Sequence, residues 1–541
     1  MTDTRRTVST LLRRWATERP DDEAVRFGAT RLTWAQLDDR VRRAAAALRA
    51  EGVGPGDRIA VLDLNHPSCL ELTLACARIG ATNAVVNFRL AAPEIVYVIN
   101  DARAAVLAVG PEFAPAVEQL ADELPTLRRV LHVGIGTERS ASGTSIGTER
   151  SASGTSIETD GYEAWLAAHE PDDGPDDAAP DDCFVQLYTS GTTGFPKGAM
   201  LTHRGMLSHA EHVAHDFGLA PTDVVQVAMP LFHVGGMSYA LLALGQGARI
   251  VMARTPDPAA LLDMFADEGI THTFLVPALM DAMTQVPDAG ARDYSSLRAV
   301  SYGASPCPLP VMRASLELFG PKLHQVYGMT EACGVVTSLG PSDHTDPAVA
   351  HRLVSAGKPI IGVEIEVRDP ETGAPVPTGE PGEIWVRTEQ LMSGYWDKPE
   401  ATAAALTDDG WLRSGDGGHI DADGYVFVTD RIKDMIVSGG ENVYPAEVER
   451  VLAEHPAVAD VAVIGVPDER WGEVPKAVVV AMPGQQVDTD ALLAFCREHL
   501  ASFKCPKSVD VLDELPRNPT GKILKKDLRK PYWDDRDRQT V

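Results

Sequence analysis

Apolar and polar positions alternate through the first 130 residues in blocks that predict strand and helix in turn. "DRIAVLDLN" (57–65) is a short apolar run that predicts a buried strand, and "HPSCLELTLACARIGA" after it predicts a helix. "TNAVVNF" predicts a strand, "APEIVYVINDA" a helix and "AAVLAVG" a strand. A second run of this kind follows "CFVQLYTSG" and includes "VVQVAMP", "ARIVMA" and "THTFLVP". Such alternation predicts an α/β fold with parallel sheets covered by helices. At the N-terminus the pattern runs into "DDEAVRFGATRLTWAQL" and reads as helix, strand and helix of the fold itself. The arginines and apolar face of the first twenty residues also fit a transit peptide, the lesser reading.

The pattern changes further along. "GEIWVR" and "GYVFVTD" read as short strands with Gly/Asp turns, a β-rich subdomain. Beyond residues 431–433 a compact α+β pattern follows: "YPAEVERVLAEH" helical, "VADVAVIGVPD" and "KAVVVAMP" strands, "DALLAFCREHL" helical. This predicts a large N-terminal domain, 1–431, with several subdomains, and a small C-terminal domain, 434–541. Two stretches break the rhythm. "GTERSASGTSI" occurs at 136–146 and identically at 147–157, and its composition predicts an exposed, mobile loop insertion. The acidic "EPDDGPDDAAPDD" (170–182) suggests no role of its own.

Composition narrows the function classes. Across 541 residues, a formal charge of −28 argues against a nucleic-acid binder, which needs clustered Lys and Arg. No apolar run reaches the length of a membrane span. Seven cysteines without C-x-x-C pairing suggest reduced, mostly buried thiols, hence a cytoplasmic protein, and show no zinc-site spacing.

Candidate chemistry begins at "YTSGTTGFPKG" (188–198), whose glycines, hydroxyls and lysine suit an anion. The spacing excludes the common nucleotide loop G-x-x-x-x-G-K-[ST], because Pro196 stands where its second glycine belongs and Gly198 follows Lys197. "QVYGMTEA" (325–332) groups Tyr327, Thr330 and Glu331. "WLRSGDGG" supplies Asp416, "TDRIKDMIVSGGENVYPAEVE" supplies Arg431, Lys433 and a double glycine, and "PRNPTGKILKKDL" places Lys522 on a turn. Each alone reads as an ordinary turn or surface residue. Their order and intervals together do not.

In these motifs the chain resembles the AMP-forming adenylate superfamily of acyl-CoA synthetases, peptide-synthetase adenylation domains and luciferases, from about residue 8 to 530. "RLAAPEIVYVIND" and "SGGENVYPAEVE" are most similar to fatty-acid or aryl-acid CoA ligases. The resemblance implies ATP, Mg²⁺ and CoA as cofactor and co-substrates, and a small, mobile C-terminal domain. Its chemistry converts a carboxylate to an acyl-adenylate with loss of pyrophosphate, a step that needs positioning and preorganised positive charge.

Carried over residue by residue, the resemblance implies a phosphate loop of Thr189, Ser190, Gly191, Thr192, Thr193, Gly194 and Lys197. Glu331, with Thr193, would bind Mg²⁺, Thr330 would reach the α-phosphate, Tyr327 would stack on adenine and Gln325 would bond its amino edge. Gly303, Ala304 and Ser305 would wall the adenine, with Gly328 and Met329 beside it. Asp416 and Arg431 would hold the ribose, and Lys522 would be the catalytic cation between carboxylate and α-phosphate. His233, which read from residues alone is a satisfied core histidine, would instead sit where acyl site and thiol channel meet, a third catalytic residue with Lys522 and Glu331.

The acyl pocket would be lined by His233, Gly235, Gly236, Met237, Ser301, Tyr302, Gly303 and Gly328. Coumarate ligases tend to carry a bulky aromatic at the position of Gly235, so a wider pocket is expected, for a medium- or long-chain fatty or bulky aryl or alicyclic acid. Lys433 would be the hinge that swings Lys522 away and brings Ser438, Gly439, Gly440 and Glu441 to the thiol channel. Ser414 replaces the usual Thr before Gly-Asp and keeps its hydroxyl. Region 337–360 is too short for the insertion typical of fatty-acyl-AMP ligases, which leans toward CoA as acceptor. An amine acceptor shares every ATP residue and stays open. A carrier-loading enzyme also stays open, with its carrier on a separate chain because no "GxDS" segment is present. The implied partners are therefore small molecules, and a homodimer is left open.

Overall fold

The computed structural model describes residues 6–134, 149–150, 156–189, 196–305, 307–431, 434, 436–438, 441–443, 445–468, 471–500, 502, 504–517 and 523–533. The chain forms two compact units, residues 1–364 with 386–412, and residues 365–385 with 413–541. The boundary expected at 431–433 falls within the second.

The first helix, Val8–Glu18, buries Val8, Leu11, Leu12 and Trp15 on one face. Trp15 Nε1 donates to the Leu244 carbonyl at 2.7 Å, so this segment packs into the fold. The single strand expected next is a hairpin of Glu23–Phe27 and Thr30–Thr33, turned at Gly28 with φ +55°. A positive φ there is inexpensive only for glycine. Helix Trp34–Ala50 opens on a reciprocal cap, in which Gln36 N donates to Thr33 Oγ1 and Thr33 N to Gln36 Oε1.

Two sheets, each of nine strands among the described residues, form the body of the first unit. In one, Arg58–Leu62 is buried at every position between parallel strands Thr82–Val85 and Val106–Val109. Burial on both faces is why Ile59–Leu62 is continuously apolar. Helix Pro67–Ile79 is buried along its whole length, so its hydroxyl bonds inward: Thr73 Oγ1 donates to the Cys69 carbonyl at 2.7 Å and accepts from Asn83 Nδ2 at 2.8 Å. Beyond Thr82–Val85 the sheet continues to Cys183–Thr189, Lys197–Thr202 and Gly394–Tyr395. In the other sheet Leu323–Met329, Ala299–Gly303, His272–Leu275, Val224–Val227 and Arg249–Met252 run parallel as neighbours. The C-terminal ends of Ala299–Gly303 and Leu323–Met329 carry candidate residues, where open α/β sheets generally place their sites.

The acidic stretch has a structural role that its composition did not suggest. Asp176 pairs with Arg13 and Arg78 at 2.7 Å each, Asp173 with Arg42, and Asp172 and Asp177 with Arg49. These arginines sit on helices Val8–Glu18, Trp34–Ala50 and Pro67–Ile79, so the segment straps three helices together. The Arg78–Asp176 pair is nearly dry, and removing either partner should cost about 3–5 kcal/mol.

The duplicated segment is not loop throughout. Glu149–Arg150 and Ser156–Gly161 pair as antiparallel strands, and the latter joins the sheet edge beside Arg129–His132. The rest of the duplication lies outside the described residues. All seven cysteines are free, with Cys69, Cys76, Cys333, Cys496 and Cys505 buried.

A four-stranded sheet, most of whose residues belong to the second unit, runs in the order Val363–Arg368, Gly382–Thr388, Leu412–Ile420, Val426–Arg431. A further sheet is built on the long antiparallel pair Val458–Asp468 and Gly472–Ala481. Alternate residues of the first strand enter opposite cores: Val461 and Val463 pack with Leu452 and Leu492, Ala462 and Ile464 with Leu515 and Leu528. That two-sided burial accounts for the unbroken apolar run "VAVIGV" (461–466).

Candidate active site

Strands Cys183–Thr189 and Lys197–Thr202 form an antiparallel hairpin whose register sets Thr189 opposite Lys197. The pairing thus brings these two residues side by side, while Ser190, Gly191, Thr192, Thr193 and Gly194 between them lie outside the described residues. A buried polar network supports the hairpin. Tyr188 Oη donates to Asp101 Oδ2 at 2.8 Å, Gln186 Nε2 donates to Tyr188 Oη at 2.9 Å, and Arg58 Nε donates to Gln186 Oε1 at 3.0 Å. Gly198 is required by this packing, since a Cβ there would lie 2.3 Å from Gln186 Nε2.

The second motif occupies the end of strand Leu323–Met329 and the 3-10 turn Thr330–Ala332. Strand alternation places Gln325, Tyr327 and Met329 on one face, half-buried, while Val326 is buried on the other. Gly303 and Gly328 are positions of close backbone approach: a Cβ would lie 2.2 Å from the Val326 carbonyl oxygen and 2.0 Å from that of Gly334, respectively. Ala304 then turns with φ +69°, a left-handed conformation unusual for a residue with a side chain, and Ser305 beyond it is exposed. Glu331 is held at both ends, its carbonyl accepting from Met392 N at 2.8 Å and its Oε1 from Tyr395 Oη at 2.7 Å. Gln390, fully buried, clamps the turn by donating from Nε2 to the carbonyls of Ala332 (3.0 Å) and Val335 (2.6 Å). Lys197 Nζ lies 5.2 Å from the centroid of the Tyr395 ring, so one tyrosine connects hairpin lysine and carboxylate.

The third segment precedes and opens helix Val234–Gln246. Asn65, itself buried, accepts from Leu231 N at 2.9 Å and donates to the Met229 carbonyl at 3.0 Å, which fixes the loop before His233. His233 caps the helix, and its Nε2 is buried without a hydrogen-bond partner among the described residues. Burial, with the nearby Arg89 charge, pushes it down to about 4, so the ring is neutral at pH 7.

The two glycines differ from expectation. At Gly236 a Cβ would lie 2.2 Å from the Pro230 carbonyl oxygen, so that glycine serves backbone packing rather than an open pocket. At Gly235 the space faces Phe274, whose Cε1 would be 2.7 Å from a Cβ. An aromatic ring from another strand thus takes part of the volume that glycine leaves. Met237 is fully buried in the core. Ser301 and Tyr302 diverge as neighbours on a strand must: Ser301 Oγ accepts from Tyr239 Oη at 2.6 Å, whereas Tyr302 Oη bonds His344 Nε2 at 2.8 Å on the opposite face.

In the second unit Asp416 is buried on strand Leu412–Ile420 in register with Arg431. The Ser414 hydroxyl donates to the Ile384 carbonyl at 2.6 Å and accepts from Asp416 N at 3.0 Å, so the smaller residue keeps the bonding function expected of Thr. Ser438 pairs with Glu441 across a short hairpin. Lys433, Gly439, Gly440 and Lys522 lie outside the described residues. Among the described residues on either side of that last gap, Arg517 and Ile523 form an antiparallel bridge and Leu524 N donates to the Pro516 carbonyl at 2.8 Å.

Family comparison gives this arrangement its context. The family model described as AMP-binding enzyme matches residues 12–396, and that of the AMP-binding enzyme C-terminal domain matches 447–522. The chain belongs to the AMP-binding enzyme family. It is an enzyme, an AMP-forming ligase of the acyl-CoA synthetase kind. This AMP-binding enzyme is 42% identical to a feruloyl-CoA synthase from an Amycolatopsis species, over 95% of the chain and 96% of that protein. It is 38% identical to a fatty acid–[acyl-carrier-protein] ligase from Streptomyces coeruleorubidus, over 97% and 96%. Its fold is similar to that of an amide bond synthetase from Marinactinospora thermotolerans, at TM-score 0.84 and 32% identity, covering 97% and 99% of the two chains.

No group of three or more His, Cys, Asp or Glu among the described residues could hold a metal by itself. Mg²⁺ seldom needs one, since it is commonly bound through one or two carboxylates plus substrate phosphates, and the lone Glu331 fits that pattern. Among the described residues no helix is long and apolar enough to cross a membrane.

Proposed function

We propose that the protein is an ATP-dependent acid:CoA ligase that converts a carboxylic acid to an acyl-adenylate and transfers the acyl group to CoA. The observation that supports it most is the shared tyrosine: the hairpin lysine packs against the ring of Tyr395, and the same residue's hydroxyl bonds the carboxylate of Glu331. A cation and a carboxylate set so close together suit a metal-bound polyphosphate, with Lys197 and Thr189 on the leaving pyrophosphate. Mg²⁺, when bound by Glu331, Thr193 and substrate phosphate oxygens, would neutralise charge on the triphosphate.

The remaining roles follow the chain's own motifs. Gln325 and Tyr327 would take adenine, with Gly303, Ala304 and Ser305 as its wall and Gly328 and Met329 alongside. Thr330 would reach the α-phosphate, and Asp416 with Arg431 would hold the ribose. Lys522 would bring the substrate carboxylate and α-phosphate together. Rotation of the domain 434–541 about Lys433 would then withdraw Lys522 and present Ser438, Gly439, Gly440 and Glu441 to the thiol. His233, neutral and with a free Nε2, would sit between acyl group and thiol. The acid would be a medium- or long-chain fatty acid or a bulky aryl or alicyclic acid, as wide as Phe274 permits beside Gly235.

A second reading has support of its own, because the relatives above include enzymes named for amide-bond synthesis and for loading a carrier protein. The acceptor is therefore tested together with the acid. A pyrophosphate-release screen over fatty, aryl and alicyclic acids, each with CoA, a primary amine or an acyl-carrier protein, should give pyrophosphate and an acyl-CoA product. An amide or a carrier thioester in place of acyl-CoA would reassign the acceptor. No pyrophosphate release with any acid would reject the reading.

A further inference from the structure

Tyr395 belongs to none of the motifs that carry the adenylation chemistry, yet its position is set from several directions. Its strand pairs with the hairpin, Ala199 opposite Tyr395 and Met200 opposite Gly394. Tyr395 N donates to Thr402 Oγ1 at 2.9 Å, and Gly394 before it adopts φ +136°, a conformation that side chains rarely take. On the other side Trp396 N donates to the Gly198 carbonyl at 2.8 Å, and Trp396 Nε1 to the Asp101 carbonyl at 2.9 Å. The Arg58 guanidinium lies 3.2 Å from the Trp396 ring centroid. The backbone at 394–396 is thus pinned to the phosphate-loop hairpin, and the phenol bridges to the 3-10 turn where its hydroxyl meets Glu331 Oε1.

We infer that Tyr395 is a positioning residue for magnesium–ATP: its hydroxyl holds the Glu331 carboxylate in one orientation and leaves the other oxygen to the cation. The inference rests on the proposed role of Glu331. A carboxylate with one oxygen already bonded loses less rotational freedom when it takes a metal, and the ring ties that carboxylate to the strand that begins with Lys197. The hydroxyl supplies no proton and touches no reacting atom. Its effect is confined to how well a preset Glu331 receives the cation.

The test is calorimetric titration of the full-length protein with ATP, without acid or CoA, at stepped Mg²⁺ concentrations and in EDTA. Wild type, Tyr395→Phe, Glu331→Gln and the double variant are compared, with thermal melting of each to confirm folding. Tyr395→Phe should raise the Mg²⁺ concentration for half-maximal ATP binding by about tenfold, as expected for loss of a hydrogen bond to a charged group. ATP binding in EDTA should be unchanged. In the Glu331→Gln background Tyr395→Phe should add nothing, because the two act through one contact. A normal Mg²⁺ response in Tyr395→Phe while Glu331→Gln is impaired would overturn the inference alone, as would additive effects or an equal loss in EDTA. A normal Mg²⁺ response in Glu331→Gln would overturn the role of Glu331, and the inference with it.

Discussion

Acid should unfold the first unit abruptly, because it buries histidines in their neutral form. Burial pushes His66, His233 and His324 down to about 4, and His203 and His209 down to about 3. Each folded value lies below the ordinary 6.5 of an unfolded imidazole, so the unfolded chain binds more protons as pH falls. The resulting stability is full above pH 6.5 and is lost as pH drops toward 4. Near pH 5.5 the unfolded state holds roughly 4.5 protons on these five rings and the native state roughly 0.1. Asp63, raised to about 6 mainly by burial, works the other way and returns about 0.7 of a proton. His272 and His344 are also lowered and add to the loss, whereas the raised Asp38 and Asp216 oppose it. The balance is a slope on the order of 5 kcal/mol per pH unit, comparable with the 5–15 kcal/mol of a typical domain. Denaturant melts at half-unit steps from pH 7.5 to 5 would measure it. His209→Gln offers an internal control: an amide oxygen can accept from Val335 N, as His209 Nε2 does at 3.1 Å, but does not titrate. That variant should lower the slope near pH 5.5 by about 1.2 kcal/mol per pH unit. Stability that is flat or rises from pH 7 to 5 would refute the reasoning.

Lys522→Ala should slow adenylate formation by several orders of magnitude in single-turnover experiments, while CoA attack on a supplied acyl-adenylate survives far better; equal loss in both would reject its role. Lys433→Pro, which fixes φ and removes an N–H, should largely spare adenylation and severely slow thioester formation, and a wild-type thioester rate would remove the hinge assignment. Gly235→Trp should push against Phe274 and shift kcat/KM toward shorter acids, and an unchanged profile would place Gly235 away from the acyl site. Gly236→Ala, by contrast, meets carbonyl oxygens and should lower the melting temperature by several degrees whatever the acid; an unchanged melting temperature would contradict the packing described here.

The buried strands were legible because burial on both faces leaves continuous apolar runs such as those at Ile59–Leu62 and Val461–Val466. The motifs at 188–198 and 325–332 stand out in the sequence because their glycines and hydroxyls cluster within a few residues. The supporting network does not, because its partners are far apart in sequence: Asn65 and Met229 are separated by 164 residues, Gln390 and Ala332 by 58, Tyr395 and Glu331 by 64. A lone polar residue carries no local pattern to announce such a contact. For the same reason the two glycines are indistinguishable in the sequence. Gly235 and Gly236 read there as one widened wall, and only the structure shows that a Cβ would meet the Phe274 ring at the first and backbone carbonyls at the second. The acidic stretch was likewise opaque until the arginines of three helices converged on it.

The central claim is tested most directly by following all products of one turnover with a single accepted acid. Enzyme, acid and ATP without CoA should catalyse acid-dependent exchange of labelled pyrophosphate into ATP. Adding CoA should then release AMP, pyrophosphate and acyl-CoA in equal amounts. Formation of ADP and phosphate, or thioester formation without any pyrophosphate exchange, would contradict an acyl-adenylate intermediate and the assignment built on it.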